Sequence, residues 1–326
     1  MDMKATRAYA LALTLAVAAA AAAQSPAGYE PGRRVLLDAH NAYPYQGRWG
    51  DRVERALATG TPLAIEQDLI WRPATATAPA RSVVSHGEPF TGTEPSLRDF
   101  FESLRPIATR ALTSASREHW PLITVNLDFK DSEPQHFAAI WSVLGEYETW
   151  LTTADRGTTV QHAQPLHVGP ILVLTGSDPA QQIAFHDLVP FGGKLRLFGA
   201  VLPAVAPGGA MAGNPAPSVA TNYRRWSNNP WSVVEPEGQN RAGEWTADDA
   251  RRLNQAVRAA HDAGLWIRFY TLNGHSIERG ERMGWTPSYN FTSLDNARVR
   301  WRAAIDAGVD FVATDQYEDY AQISSR

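Results

Sequence analysis

From Arg33 onward the chain keeps switching between two patterns that cannot share an element. Short apolar, partly β-branched runs read as strands at 33–39, 63–69, 122–128, 170–174, 195–198, 217–221, 265–270 and 309–313. Helical signals fill the spaces between them. A short helix spans Asp51–Thr59 and is ended by Gly60. Ser96, with Asp99 three residues on, opens another in the manner of a capping box. Pro134–Leu151 carries Phe137, Ile140, Trp141 and Leu144 on one helical stripe, and a further helix starts at Asp178. Thr246 caps a strong helix with Asp248 and Asp249 in its first turn and Gly264 at its end. Ser293–Ala307 is closed by Gly308. Strands alternating with helices in this way over about 290 residues, with no internal repeat and no dividing linker, predict an α/β chain folded as a single (β/α)8 barrel, the TIM barrel. An open doubly wound sheet is the alternative, but no Gly-rich phosphate loop follows the first strand. A short extra strand is expected at 82–85, after a Pro/Ala/Thr-rich loop.

Ahead of this pattern, residues 1–24 read as a signal peptide. Lys4 and Arg7 precede an apolar Ala/Leu run from Ala8 to Ala22, and Ala21-Ala22-Ala23 before Gln24 is an A-x-A-type cleavage site. The run is shorter than the ~20 residues a membrane span needs. The expectation is an exported protein, periplasmic or secreted, whose barrel domain occupies 25–326. The sequence has no Cys, which removes disulfides, thiolate metal sites and a lipid-anchored lipoprotein. A net charge of −4 with both signs mixed throughout offers no basic face for nucleic acid. Trp49, Trp71, Trp226, Trp231 and Trp285 sit in Pro/Gly/Asn/Arg-rich surroundings typical of loops. Loop tryptophans can line a cleft, rest on a membrane or sugar surface, or simply pack.

A barrel carries its chemistry at the C-terminal ends of its strands, and polar groups collect there in this chain. His40 and Asn41 end the first strand. Glu66 and Asp68 end the second, on the same side, with Gln67 opposite. His86 follows the extra strand, and Asp128 and Lys130 end the third. Two carboxylates facing one way repel unless a cation or proton lies between them. Two imidazoles near such a pair suit general acid and general base work. Oxygen donors from Asn41, Glu66, Asp68 and Asp128 describe a site for a hard divalent cation, Ca2+ or Mg2+.

This order of motifs resembles the X-box of phosphatidylinositol-specific phospholipase C and the related glycerophosphodiester phosphodiesterases, all barrel phosphodiesterases. The residues that carry the resemblance are His40-Asn41, Glu66-Gln67-Asp68, and His86-Gly87 with Thr91 shortly after. Asp128-Phe129-Lys130 is similar to the sphingomyelinase D branch. The resemblance implies catalytic histidines at His40 and His86, and metal ligands at Asn41 (phospholipase C type only), Glu66, Asp68 and Asp128. It also implies a phosphate contact at Lys130. Two positions depart from the glycerophosphodiesterase pattern: its His-Asp is His-Gly here, and Asp128 stands where many members carry Glu. The activity implied is a metal-dependent phosphoric diester hydrolysis on a phospholipid head group or a glycerophosphodiester, with His40 as base and His86 as acid. Peripheral contact with a membrane surface would accompany a lipid substrate.

Other candidates come later in the chain. Arg224 and Arg225, read as following the sixth strand, would reach a phosphate or head group from the rim, with Trp226 stacking on it. Arg268 and Tyr270 alternate inward with Trp266 on the seventh strand, and Asp315 lies just past the eighth, on the catalytic face. Three other functions compete, the first a sphingomyelinase D-like phospholipase, which the resemblance at Asp128-Phe129-Lys130 implies. A glycoside hydrolase would pair Asp128 with Glu235 and leave the histidines idle. A non-catalytic barrel would bind a phosphorylated ligand without needing two proton carriers.

Overall fold

Eight parallel strands form a ring in the computed structural model, which describes residues 29–201 and 218–324. They are β1 (Leu36–Ala39), β2 (Leu63–Arg72), β3 (Ile123–Phe129), β4 (Ile171–Thr175), β5 (Phe198–Ala200), β6 (Arg224–Pro230), β7 (Trp266–Tyr270) and β8 (Phe311–Thr314). Each pairs in parallel with its neighbour, and β1 pairs with both β2 and β8, so the ring closes. This is the (β/α)8 barrel that the alternation predicts. The segment read as a signal peptide, 1–24, lies outside the described residues.

Apart from β6, the strands carry apolar residues on both faces because both faces are covered. Leu37, Ile65, Val125, Val173, Ile267 and Val312 point outward into a core shared with the helices. Ala64, Leu172, Leu174, Phe198, Trp226, Trp266 and Phe311 belong to a second cluster inside the ring, joined by Tyr29. The helices are α1 (Arg52–Ala58), α2 (Leu97–Thr113), α3 (Pro134–Glu146), α4 (Pro179–Gln182), α5 (Ala247–Asp262), α6 (Ile277–Met283), α7 (Leu294–Ala307) and α8 (Tyr317–Ser324). Ser96 forms the expected capping box with Asp99, and Thr246 caps α5 as expected and forms a capping box of its own with Asp249. Gly308 ends α7 at φ +78°, a conformation costly for any side chain. Among the described residues, no helix is long and apolar enough to cross a membrane.

The extra strand, Arg81–Val84, pairs antiparallel with the outer half of β2, from Leu69↔Val84 to Arg72↔Arg81. A small antiparallel sheet (Thr153–Asp155, Leu166–His167 and Lys194–Leu195) contributes Ala154 and Leu195 to the inner cluster. Part of the run expected as the fifth strand belongs to this sheet, and β5 begins only at Phe198.

The sixth strand is displaced from its expected place. Pro217 lies outside the described residues, Ser218–Thr221 form no strand, and β6 starts at Arg224. Its sequence, Arg-Arg-Trp-Ser-Asn-Asn-Pro, has a single large apolar side chain, so hydropathy reads it as a loop. Three of the tryptophans assigned to loops are core instead: Trp226, Trp231 and Trp285 are 1%, 0% and 5% exposed. Their indoles fill space inside the fold, and those of Trp226 and Trp231 also find acceptors at Thr175 O and Glu235 Oε2.

Candidate active site

The C-terminal mouth of the ring gathers the polar groups of β1, β2 and β3, because strand register places them level. Glu66 pairs with Asn126 and Asp68 with Asp128, all on the inward face. Asn41 takes φ +50° where β1 ends, a left-handed turn that Asn tolerates better than most residues. Its backbone N–H donates to Glu66 Oε2 at 3.4 Å.

His40 is buried and held from both sides. Its Nδ1 lies 3.0 Å from Asp315 Oδ1 and its Nε2 3.5 Å from Glu66 Oε2. With Nδ1–H donated to Asp315, Nε2 is left for proton exchange at the mouth. Burial opposes the imidazolium, but Asp315 and Glu66 outweigh it and push His40 up to about 8. Asp315 is fixed in turn by Asn273, whose amide donates to Oδ2 and whose carbonyl accepts from the Asp315 N–H at 2.8 Å. The Tyr317 hydroxyl ties down the His40 carbonyl at 2.6 Å.

Glu66, Asp68 and Asp128 each present an oxygen within 4.8 Å of the others. Arg268, expected to face inward, does so: its guanidinium pairs with Asp38 and lies 3.2 Å from Glu66 Oε1. Asn126 donates to the same oxygen at 3.2 Å. Lys130 Nζ sits 2.9 Å from Asp68 Oδ2 and 2.6 Å from Asp128 Oδ2. The Tyr43 hydroxyl lies 2.7 Å from Asp68 Oδ2 and 2.9 Å from Asn41 Oδ1, with one proton to give to the two. Asp68 Oδ1 is buried and has no hydrogen-bond partner among the described residues. Burial, and the repulsion of Glu66 and Asp128 working against the pull of Lys130, push Asp68 up to about 7. A buried carboxylate with a bare oxygen among other carboxylates is short of positive charge. The residues therefore fit a hard divalent cation, with Glu66, Asp68 and Asp128 as donors and the Asn41 carbonyl beside them.

His86 is exposed beyond the extra strand, with its ring 6.4 Å from that of Tyr45. Burial of part of the ring lowers its pKa, as does the charge of Lys130, with Asp128 acting the other way. Tyr289, on the loop after α6, meets the His40 ring edge-on at 6.2 Å and that of Tyr270 at 6.1 Å.

Arg224 and Arg225 are not at this site. They begin β6, so their backbone lies at the N-terminal end of that strand, and their side chains are committed to other partners. Arg224 donates to the carbonyls of Ala200 and Ser177, and Arg225 to that of Gln164 at 2.7 Å. The expectation for them fails because it rests on a sixth strand that ends before them. Glu235 is committed elsewhere as well: it is buried, 2.6 Å from Arg300 Nη2 and 2.7 Å from the Trp231 indole nitrogen.

Tyr43, Asn126 and Asn273 escape the sequence reading. Asn126 was within reach of it, since alternation puts it on the same face as Asp128. The other two support the site from loops, where no periodicity marks them. A Ser82–His136–Asp131 chain, with contacts of 2.9 Å at each link, also escapes it. The His136 imidazole is 0% exposed, between Phe129 and Trp71, so this chain works as a buried brace between the hairpin and α3.

No family model matches the chain, and no curated protein matches it. Among solved structures, a glycerophosphoryl diester phosphodiesterase from Parabacteroides distasonis is similar at 11% identity. The match covers 91% of this chain and 88% of that one, with a TM-score of 0.43. Similarity at that level says nothing about the chemistry of this chain.

Proposed function

We propose that the protein is an exported, metal-dependent phosphodiesterase that cleaves a phospholipid head group or a glycerophosphodiester. The observation that carries this reading is His40, braced by Asp315 and set against the Glu66–Asp68–Asp128 cluster at one barrel mouth. A carboxylate-backed imidazole beside a hard-cation site suits proton transfer at a phosphorus centre.

In this reading Asp315 holds the His40 ring so that Nε2 takes the proton of the attacking hydroxyl. His86, beyond the extra strand, would give a proton to the leaving oxygen. Lys130 holds a non-bridging phosphate oxygen as a point charge. The bound divalent ion would supply charge stabilisation on the phosphate oxygens. The resemblance of the 38–130 motifs to the barrel phosphodiesterases supports the same assignment, and residues 1–24 support export. A glycosidase built on Asp128 and Glu235 is disfavoured by the Glu235–Arg300 pair, which occupies the second carboxylate.

The test is hydrolysis of bis-(p-nitrophenyl) phosphate with Ca2+, with Mg2+ and with chelator, for the wild type and His40→Ala. The reading expects turnover that requires the ion and falls roughly 10^2–10^4-fold in His40→Ala. Full activity in His40→Ala, or no turnover with any ion, would overturn it.

A further inference from the structure

Among the described residues, Arg268 and Lys130 both sit on carboxylates of the mouth, and they differ in freedom. Arg268 is 2% exposed and locked between Asp38, Glu66 and the Asn228 carbonyl oxygen, 3.1 Å from its Nη1. Lys130 has a flexible four-carbon stem, a side chain 20% exposed, and contacts to Oδ2 of Asp68 and Oδ2 of Asp128, two of the three carboxylates of the cluster. Its backbone is pinned, with the N–H donating to Leu69 O at 2.8 Å, so any movement belongs to the side chain.

An ammonium 2.6–2.9 Å from Asp68 and Asp128 and a divalent ion held by the same two carboxylates draw on the same negative charge. Both are positive and close together, so each weakens the hold of the other. We propose that Lys130 is the internal competitor of the divalent ion. Its ammonium holds Asp68 and Asp128 while the ion is away, and it is turned out toward the substrate phosphate when the ion binds. Loading the ion and presenting the phosphate-binding charge are then a single event. The phosphate part rests on the phosphodiesterase reading; the competition rests on the carboxylate contacts alone.

The sequence offers an unusual way to watch this. Lysine occurs only at 4, 130 and 194, so protein expressed without residues 1–24 carries two. With 13C-labelled lysine, two side-chain signals are expected, and Lys130→Arg assigns them. Addition of Ca2+ or Mg2+ should shift the Lys130 signal and leave that of Lys194 in place. Calorimetric titration with CaCl2 and MgCl2 should show Lys130→Met binding the ion at least about tenfold more tightly than wild type. Lys130→Arg should bind no more tightly than wild type. Lys130→Gln serves as the second neutral variant if the first does not fold.

An unmoved Lys130 signal while the ion binds, or equal or weaker binding by both neutral variants, overturns the proposal. Absence of ion binding in every form overturns it too. In that case hydrolysis that persists in chelator would leave a phosphodiesterase standing, whereas no hydrolysis under any condition would remove both readings.

Discussion

Asn in place of Asp315 tests the brace behind His40. Both carboxylate oxygens of Asp315 accept: Oδ1 from His40 Nδ1 and Oδ2 from the Asn273 amide. Asn keeps the volume but turns one acceptor into a donor, so either His40 or Asn273 then faces a donor. A hydrogen bond to a charged group contributes roughly 1.5–3 kcal/mol, and a loss of that order is expected in urea unfolding. A pH signature should accompany it. In the ion-free protein His40 faces Asp315 and Glu66, with Arg268 opposing them, and is raised from 6.5 to about 8. A raised histidine contributes its stability fully below the unfolded value and loses it as pH rises through the folded one. A rise of that size corresponds to about 2 kcal/mol. Measured in chelator, the wild type should therefore lose up to ~2 kcal/mol between pH 6 and pH 9, and Asp315→Asn clearly less. Activity on bis-(p-nitrophenyl) phosphate should fall roughly 10^2–10^4-fold. Parallel pH profiles, or a variant with more than a third of wild-type kcat/KM, would refute the brace.

Arg268→Met leaves Asp38 and Glu66 buried without their cation, and should cost about 3–5 kcal/mol in denaturant unfolding. Glu235→Gln breaks a buried pair with Arg300. It should lower stability by a similar amount, while the folded fraction keeps kcat/KM within about threefold; a glycosidase would lose activity outright. Arg225→Met, which removes a side chain committed to Gln164 O, should leave KM for any phosphodiester substrate unchanged within about twofold, read from initial rates. Ser82→Ala should cost about 1 kcal/mol with activity retained, and a fluorophosphonate probe should not label Ser82 in the wild type.

The barrel and one side of its mouth were legible because they follow from local rules. Alternating strand and helix patterns forced a closed parallel sheet, and strand-end polar residues on β1–β3 had to meet. Arg268 and Asp315 were placed correctly for the same reason: each is counted along or just past a strand. What failed depended on contacts that hydropathy does not see. β6 turns Arg225, Ser227 and Asn229 to one face, and its single large apolar residue, Trp226, goes to the barrel interior, so it carries no apolar run to mark it. With that strand misplaced, Arg224 and Arg225 were assigned to the wrong end of a strand. Trp231 looked like a loop residue because Pro230 precedes it, yet its indole is enclosed by Trp245, Phe269 and Phe291. Tyr43 and Asn273 act through hydrogen bonds across loops, which no spacing rule predicts.

The interior of the ring is graded. Tyr29, Trp226, Trp266 and Phe311 fill its lower half, and the charges stand above them. Among the described residues the barrel is therefore filled at one end and polar at the other, like a blind well. If the proposed function holds, ion, substrate, water and both fragments of a cleaved diester would share the polar end as a doorway, so a fragment still seated would bar the next molecule. Such an enzyme would be slowed by its own phosphomonoester in strict competition with substrate, and its turnover would be paced by departure as much as by bond breaking.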